Sequence, residues 1–396
     1  MKILYHHRIG SKDGQAVHMD ELIHAFEQLG HEVLVVGPKS FARASFGHDP
    51  TFVNALKRSI PQFAYEILEL GYNVLAFSRL NAACSRFRPD FLYERHNLYT
   101  LAGAWLGRFR RLPRLLEINA PLADERAANN GLALSSLAHR VEYWSWRQAT
   151  YALPVTHVLA QYLDRAGVAP DRIRVIANAI DPEMFGKAPA PDTAKAALGL
   201  AGKLVVGFTG FVRDWHGLDT VIDWLSEEAP PSAHLFVVGE GPALPGLKAQ
   251  ADRLGVSGRV TFAGLVDRSR IADHMAAFDI AIVPKCVEYC SPLKLFEYMA
   301  LGKAIVAPNQ ENIREILVDR KSTLLFDPSD RKSLFAALVT LASSAELRQS
   351  LGDGAREAIA TRRLRWTDNA DKIVALARQA IEAAPLSTGA RLSSSR

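Results

Sequence analysis

The stretch SPLKLFEYMALGKAIVAP, residues 291 to 308, groups residue types that do chemistry together. Ser291 is a good N-cap, and Pro292 suits the first position of a helix. The amides of Leu293 and Lys294 then fall in the first turn, where backbone donors have no partner inside the helix. A helix start with free donors and a positive dipole end favours a phosphate. Lys294 adds a mobile cation. Glu297 lies one turn further on, near the same face as Lys294 and too deep in the helix to cap it. Its carboxylate is suited to accept hydrogen bonds from a pair of hydroxyls. Amides and a cation for phosphates, beside an acid for a ribose, are what a nucleoside diphosphate needs. The same residues also read as an ordinary surface pair, Lys294 with Glu297, on a Ser-Pro helix.

The elements around this stretch repeat one pattern. Lys2 to Tyr5 is an apolar strand, the loop to Gln15 carries Gly10 and Gly14, and Val17 to Leu29 has helical spacing that stops at Gly30. Val33 to Val36 is a second strand, which completes a βαβ unit. The loop is not GxGxxG, which counts against a dinucleotide oxidoreductase. Helical periodicity runs through Phe52 to Leu70 and Val74 to Phe87, with a break expected at Pro61. Phe91 to Tyr93 and Leu115 to Ile118 are strands. A helix is expected over Val158 to Leu163, and Arg174 to Ala177 reads as a strand closed by NAID at Asn178 to Asp181. From Leu204 the pattern restarts, with strands at 204–208, 235–238, 260–262, 280–283, 304–307 and 324–326. Helices are expected between them, and a last one over Trp366 to Ala383.

The SPLKLFEYMALGKAIVAP stretch resembles the nucleotide-sugar motif of glycosyltransferase family four, a retaining family with the GT-B fold. YERHNLYTLAGAWLG and LLEINAPLADE are similar to the acceptor half of family members that build bacterial surface polysaccharides. The NAID turn resembles the family's NGVD, with Ala179 in place of Gly, which implies either a negative φ there or mild strain that is tolerated. The resemblance covers most of the chain. It implies an α/β fold of two Rossmann-like domains facing across a cleft. Residues 1–185 would form the acceptor domain, 186–203 a linker and 204–365 the nucleotide-sugar domain. A helix over 366–386 would cross back to the N-terminal domain, ahead of a disordered tail, 387–396.

The resemblance also distributes roles. Glu297 would hold the donor ribose. Ser291, Pro292, Leu293 and Lys294 would hold the diphosphate. Gly14 would let backbone approach the acceptor and the donor phosphates, or serve only its turn. In TGFVRDWHG, Phe211 and His216 stand where the family usually has Arg and Lys, and Arg213 would supply the missing charge. Gly239, Gly241 and Gly264 end strands near the ligand or are plain turn residues. His96, at the end of a strand, would position an acceptor hydroxyl or a donor phosphate; otherwise it is a capping or core-edge histidine. The family's second Glu, eight residues before the helix Glu, is here Tyr289. Either Glu288 takes its role through a bulge, or backbone at Cys290 and Ser291 does.

The activity implied is retaining transfer of a hexosyl unit from a nucleotide-diphosphate sugar to a polysaccharide or lipid-linked saccharide. No metal is expected, because no DxD-type acidic cluster stands at a strand end. No cofactor is expected beyond the donor itself. The rivals are a nucleotide-sugar-binding scaffold without catalysis and a GT-B epimerase or phosphorylase, whose pyridoxal lysine has no candidate beyond Lys294.

Bulk properties agree with this class. The chain has 396 residues, enough for two or three domains, with 48% hydrophobic and 22% charged residues. Its net charge of +5 suits anionic phosphates or a lipid surface and is too weak to argue for nucleic acid. Three cysteines, Cys84, Cys286 and Cys290, are too few for a disulfide framework and fit a reducing cytoplasm. The start, MKILYHH, does not read as a signal peptide, and no apolar run is long enough to span a bilayer. Leu101 to Leu116, with Trp105, Arg108, Phe109, Arg110, Arg111 and Arg114, reads as a basic aromatic helix. It would either rest on an anionic membrane at the inner face of the cell or form a solvated face.

Overall fold

Short runs of branched and aromatic residues, each closed by a helix that lies back on the sheet, give parallel strands, because a crossover helix returns the chain to the same edge. The computed structural model describes residues 1–9, 14–38, 60–129 and 131–383. The first sheet contains β1 (Lys2–His6), β2 (Glu32–Val36), β3 (Phe91–Arg95), β4 (Arg114–Ile118) and β5 (Tyr151–Pro154), in the order β2-β1-β3-β4-β5. The second contains β6 (Leu204–Thr209), β7 (Ala233–Val238), β8 (Val260–Gly264), β9 (Ile280–Ile282), β10 (Ala304–Pro308) and β11 (Leu324–Phe326), in the order β11-β10-β9-β6-β7-β8. All neighbouring pairs are parallel.

Each sheet reverses its strand order once, between β1 and β3 and between β6 and β9. Loops leaving the strand ends on either side of a reversal diverge, and the crevice between them is where α/β sheets bind ligands. The candidate residues follow these strands: Gly14 after β1, His96 after β3, Arg213 and His216 after β6, and Lys294 and Glu297 after β9.

Several segments depart from the sequence reading. The break expected at Pro61 is a helix start, and the helix then runs on through residues 71–73, where the sequence reading separates the two periodic runs. Pro61 is the N-cap of one helix, Gln62–Phe87, since proline is tolerated at a helix start and not inside one. The part of the expected helix before residue 60 lies outside the described residues, as does the 387–396 tail. The basic aromatic helix is shorter than expected, Ala102–Arg110, and Arg114 belongs to β4. There its guanidinium is buried against Glu94, at 2.5 Å, and the Ser145 carbonyl, at 2.8 Å. Arg174 to Ala177 is not a strand. It runs extended beside β5, with the Arg174 and Ile176 amides donating to the Ala152 and Pro154 carbonyls, each at 3.0 Å. β5 itself was not expected, and the proline that ends it hides the strand pattern.

Ala179 has no positive φ and sits buried with the first sheet's core. Ile180 and Phe185 already pack in the second core. The stretch 186–203 holds the Pro191–Ala197 helix, and its Ala194 joins Leu200 in that same core. The Trp366–Ala383 helix buries Trp366, Ala370, Ile373, Val374 and Ala377 among Ile3, Phe26 and Tyr93. The last described helix therefore lies on the half where the chain began.

Candidate functional site

The helix after β9 is Leu293–Ala300. Leu295, Phe296, Tyr298 and Met299 face the core, and the Tyr298 hydroxyl accepts from the Thr209 amide at 3.0 Å, pinning the helix to the end of β6. Ser291 is not its N-cap and Pro292 is not its first residue: Pro292 is the N-cap, with no side-chain capping bond. Ser291 is drawn to the NAID turn instead. Its hydroxyl accepts from the Asn178 amide at 3.2 Å, and its carbonyl accepts from Asn178 Nδ2 at 2.6 Å. A buried amide side chain needs partners, and this one is better served by Ser291 than a helix end that can face a ligand. The first-turn amides of Leu293 and Lys294 are thus left without a side-chain cap.

Lys294 extends from this turn over the face of Phe208, with Nζ 3.7 Å from the ring centroid. Among the described residues no carboxylate lies within 4 Å of it. Burial outweighs the favourable field of Glu297 and lowers its pKa to about 8. Gly210, at φ 128°, makes this approach possible: a Cβ there would stand 3.2 Å from Lys294 Nζ. Gly239 backs the same loop closely, since a Cβ on it would overlap the Gly210 carbonyl. Here glycine serves backbone packing behind the site.

His216 shares this corner. Its Nδ1 accepts from the Arg213 amide at 3.1 Å, which places the ring proton on Nε2. Burial first, then Lys294 and Arg213, lower its pKa to about 3. His216 therefore offers a neutral N–H, not a replacement charge. Arg213 is exposed and stacked between Phe211 and Trp215, each ring centroid 4.8 Å from its guanidinium carbon. It also lines a cavity of about 250 Å³ with Asp214, Asp219 and Gln250.

Glu297 is buried and does not pair with Lys294. Its Oε1 accepts from Arg268 Nη1 at 2.6 Å. Arg268, in the turn after β8, also reaches Glu21 of the first helix at 3.3 Å. Neither Arg268 nor Glu21 stood out in the sequence, because neither belongs to a local pattern.

The N-terminal half closes over the helix start. A Cβ on Gly14 would lie 3.8 Å from Leu293 Cδ1, so this backbone faces the first turn directly. His96 is buried, with Nε2 3.0 Å from Glu142 Oε1 and its ring edge-on to Trp146. Its Nδ1 has no hydrogen-bond partner. Glu142 also accepts from the Leu122 amide at 2.9 Å, so it holds both the histidine and the following loop.

Glu288 is exposed in the turn ahead of the helix. Tyr289 crosses to the other half instead. Its hydroxyl donates to Glu125 at 2.5 Å, and its carbonyl accepts from Thr156 Oγ1 at 2.9 Å. The carbonyls of Cys290 and Ser291 are already taken by Asn312 and Asn178. The sequence-predicted residues Gly14, His216, Leu293, Lys294 and Glu297 therefore converge where the halves meet. His96 stands in the first half's wall, and Glu288 and Arg213 lie at exposed positions.

Two family models match the chain in succession. Glycosyltransferase Family 4 covers residues 12–184, and Glycosyl transferases group 1 covers residues 203–344. The chain belongs to glycosyltransferase family four. It is 30% identical over 230 residues to a D-inositol 3-phosphate glycosyltransferase of Xylanimonas cellulosilytica, covering 55% of this chain and 54% of that one. It is 28% identical over 187 residues to the lipopolysaccharide core biosynthesis glycosyltransferase LpsE of Rhizobium meliloti, 47% of this chain and 52% of that one. The chain spans about half the length of the first curated relatives it matches. Among solved structures, Anabaena HepE in complex with UDP superposes with a TM-score of 0.75 at 20% identity, over 96% of this chain and 100% of that one. That likeness, with the two facing parallel sheets, establishes the GT-B fold.

Proposed function

We propose that this chain transfers a hexosyl unit, with retention, from a nucleotide-diphosphate sugar to a saccharide or lipid-linked saccharide. The observation that carries this reading is Lys294. It is a partly buried cation with no carboxylate within 4 Å among the described residues, at an uncapped helix start one turn from Glu297. A cation left so needs an anion, and the first-turn amides point to the same one. The leaving diphosphate would accept from the Leu293 and Lys294 amides, the Lys294 ammonium and the His216 N–H. Glu297 would accept from the ribose hydroxyls. In the reaction the bond from the anomeric carbon to phosphate breaks, the acceptor oxygen bonds that carbon on the same face, and its proton passes to the departing phosphate oxygen. His96 on the acceptor side would orient the acceptor.

The names of the relatives support a glycosyl acceptor of small-molecule or lipopolysaccharide type, and the HepE complex makes uridine the first nucleotide to try. A thermal-shift screen against UDP-, GDP- and ADP-sugars, followed by proton NMR of the anomeric centre in the product, tests the reading. Stabilisation by one donor and an axial-to-axial outcome with an α-linked donor are expected. Binding without transfer would favour a scaffold, and no binding by any donor would refute the assignment.

We also place the enzyme at an anionic membrane surface. Phe63, Ile67, Leu68, Val74 and Leu75 of the Gln62–Phe87 helix are exposed, as are Trp105 and Phe109 of the Ala102–Arg110 helix. Phe77 meets Trp105 and Phe109 edge to face, with ring centroids 6.4 and 6.0 Å apart, and joins these helices into one surface. Arg108 and Arg111 are exposed on the second helix and at its end. Apolar side chains rimmed by arginine suit lipid headgroups. No helix among the described residues is long and apolar enough to cross a membrane.

A further inference from the structure

Arg268 is the side chain that joins the ribose carboxylate of the proposed site to the opposite half of the molecule. Its Nη1 donates to Glu297 Oε1 at 2.6 Å and its Nη2 to Glu21 Oε1 at 3.3 Å. Both carboxylates are largely shielded from water, whereas the guanidinium is about one-third exposed, so it lies at the mouth of the crevice. Glu21 belongs to the Gly14–Gln28 helix, whose first residue faces Leu293. One planar guanidinium thus links the two helices that meet at the diphosphate site, a geometry that lysine, a point charge, cannot reproduce.

Arg268 engages only Oε1 of Glu297. A carboxylate has about four lone-pair positions. Among the described residues Oε2 has no hydrogen-bond partner, so the positions a pair of ribose hydroxyls needs stay open. We propose that Arg268 is a positioning residue for the nucleotide ribose. It fixes the Glu297 carboxylate through Oε1 and leaves Oε2 to the ribose hydroxyls, and through Glu21 it ties that carboxylate to the N-terminal half. The ribose is then read best when the halves are together. This inference rests on the nucleotide-sugar reading above and adds a residue, a partner and a coupling to it.

The test compares a nucleoside diphosphate with its 2′,3′-dideoxy analogue by isothermal titration. UDP is the first probe, with GDP and ADP run alongside. In the wild type, the ratio of the two affinities measures how well the ribose is read. Arg268→Gln is expected to lower that ratio by about fivefold or more, with Arg268→Lys intermediate, and Glu21→Gln to lower it by about threefold without touching Glu297. A merely structural bridge would weaken ribose and dideoxy ligands equally. Equal losses, an unchanged ratio in both Arg268→Gln and Glu21→Gln, or tighter ribose binding in Arg268→Gln would each overturn the proposal. Should Arg268→Gln fail to fold, Glu21→Gln alone decides. A wild type that binds none of the three nucleotides refutes the nucleotide-sugar reading itself. A wild type that prefers the ribose form beside variants that keep the preference refutes only the role of Arg268.

Discussion

At the residue scale the proposed site is a balance of charges that a phosphate would complete. Lys294 is the clearest case. With its pKa near 8 in the empty enzyme, it is largely protonated at neutral pH and loses its proton as pH rises through that value. A bound diphosphate favours the ammonium form and raises the pKa, so binding above pH 8 must take up a proton. Diphosphate affinity is therefore expected to be flat below about pH 7.5 and to fall by up to about tenfold per pH unit above pH 8. Titrations in buffers of different ionisation enthalpy would detect the proton uptake, and Lys294→Arg should flatten the profile, since arginine stays charged. Glu297→Gln keeps the shape and removes the charge. It is expected to weaken the nucleoside diphosphate by about tenfold, with a smaller effect on the 2′,3′-dideoxy form. Equal losses for the two ligands would remove Glu297 from the ribose. His96→Ala is expected to slow transfer at least about tenfold with nucleotide affinity unchanged, because His96 lies in the N-terminal half, the proposed acceptor side, and its loss leaves Glu142 short of one donor. An unchanged turnover rate would return His96 to a packing role.

At the element scale, the loop from Cys286 to Ser291 is what sets the helix start. Asn312 gathers it by donating to the Val287 and Cys290 carbonyls at 3.1 and 2.8 Å. The loop then hands two residues to the other half: Tyr289 to Glu125 and Ser291 to Asn178. A further helix, His157–Arg165, meets Glu315 at its start, where the carboxylate accepts from the His157 amide at 2.9 Å. These contacts explain why a tyrosine stands where the family carries an acid: here the position bridges the halves. Glu125 is partly buried, and burial raises its pKa even as Tyr289 lowers it. Tyr289→Phe leaves this carboxylate without its donor and is expected to cost about 1–3 kcal/mol of stability. Urea unfolding of Tyr289→Phe, Glu125→Ala and the double variant checks this. A coupling energy near zero would show that the two do not interact in solution.

At the scale of the whole molecule, two parallel sheets place their points of strand reversal opposite one another, and the Trp366–Ala383 helix returns to the first sheet. On the proposed reading, the donor groups would lie on one wall and the acceptor groups on the other. The exposed apolar and aromatic side chains of Gln62–Phe87 and Ala102–Arg110 give the N-terminal half a surface suited to lipid. Sedimentation with phosphatidylglycerol vesicles is expected to pellet the protein at low salt and less of it at high salt. Arg108→Glu with Arg111→Glu should reduce binding several-fold. These two are chosen because Arg110 is already engaged by Asn81 and Ser85. Equal absence from the pellet at both salt concentrations, or binding indifferent to both substitutions, would remove the membrane from the proposal.

The elements of the second half were legible in the residues alone, β6 to β11 each within two residues of the expected bounds, because parallel buried strands are short unbroken apolar runs. The Leu293–Ala300 helix, its free first turn and Glu297 were legible for the same local reason: spacing of three and four places them on one turn. β5 was hidden because its closing Pro154 imitates a break, and Ser291 was misread because a local cap competes with a distant amide. The partners of the site were decided only by the tertiary structure. Arg268 is 29 positions from Glu297 and 247 from Glu21, and Tyr289 is 164 from Glu125. A charge or hydroxyl at such separation carries no periodicity that names its partner. Only closing the sheets on one another brings the groups within hydrogen-bonding reach, and their burial there makes the pairing decisive.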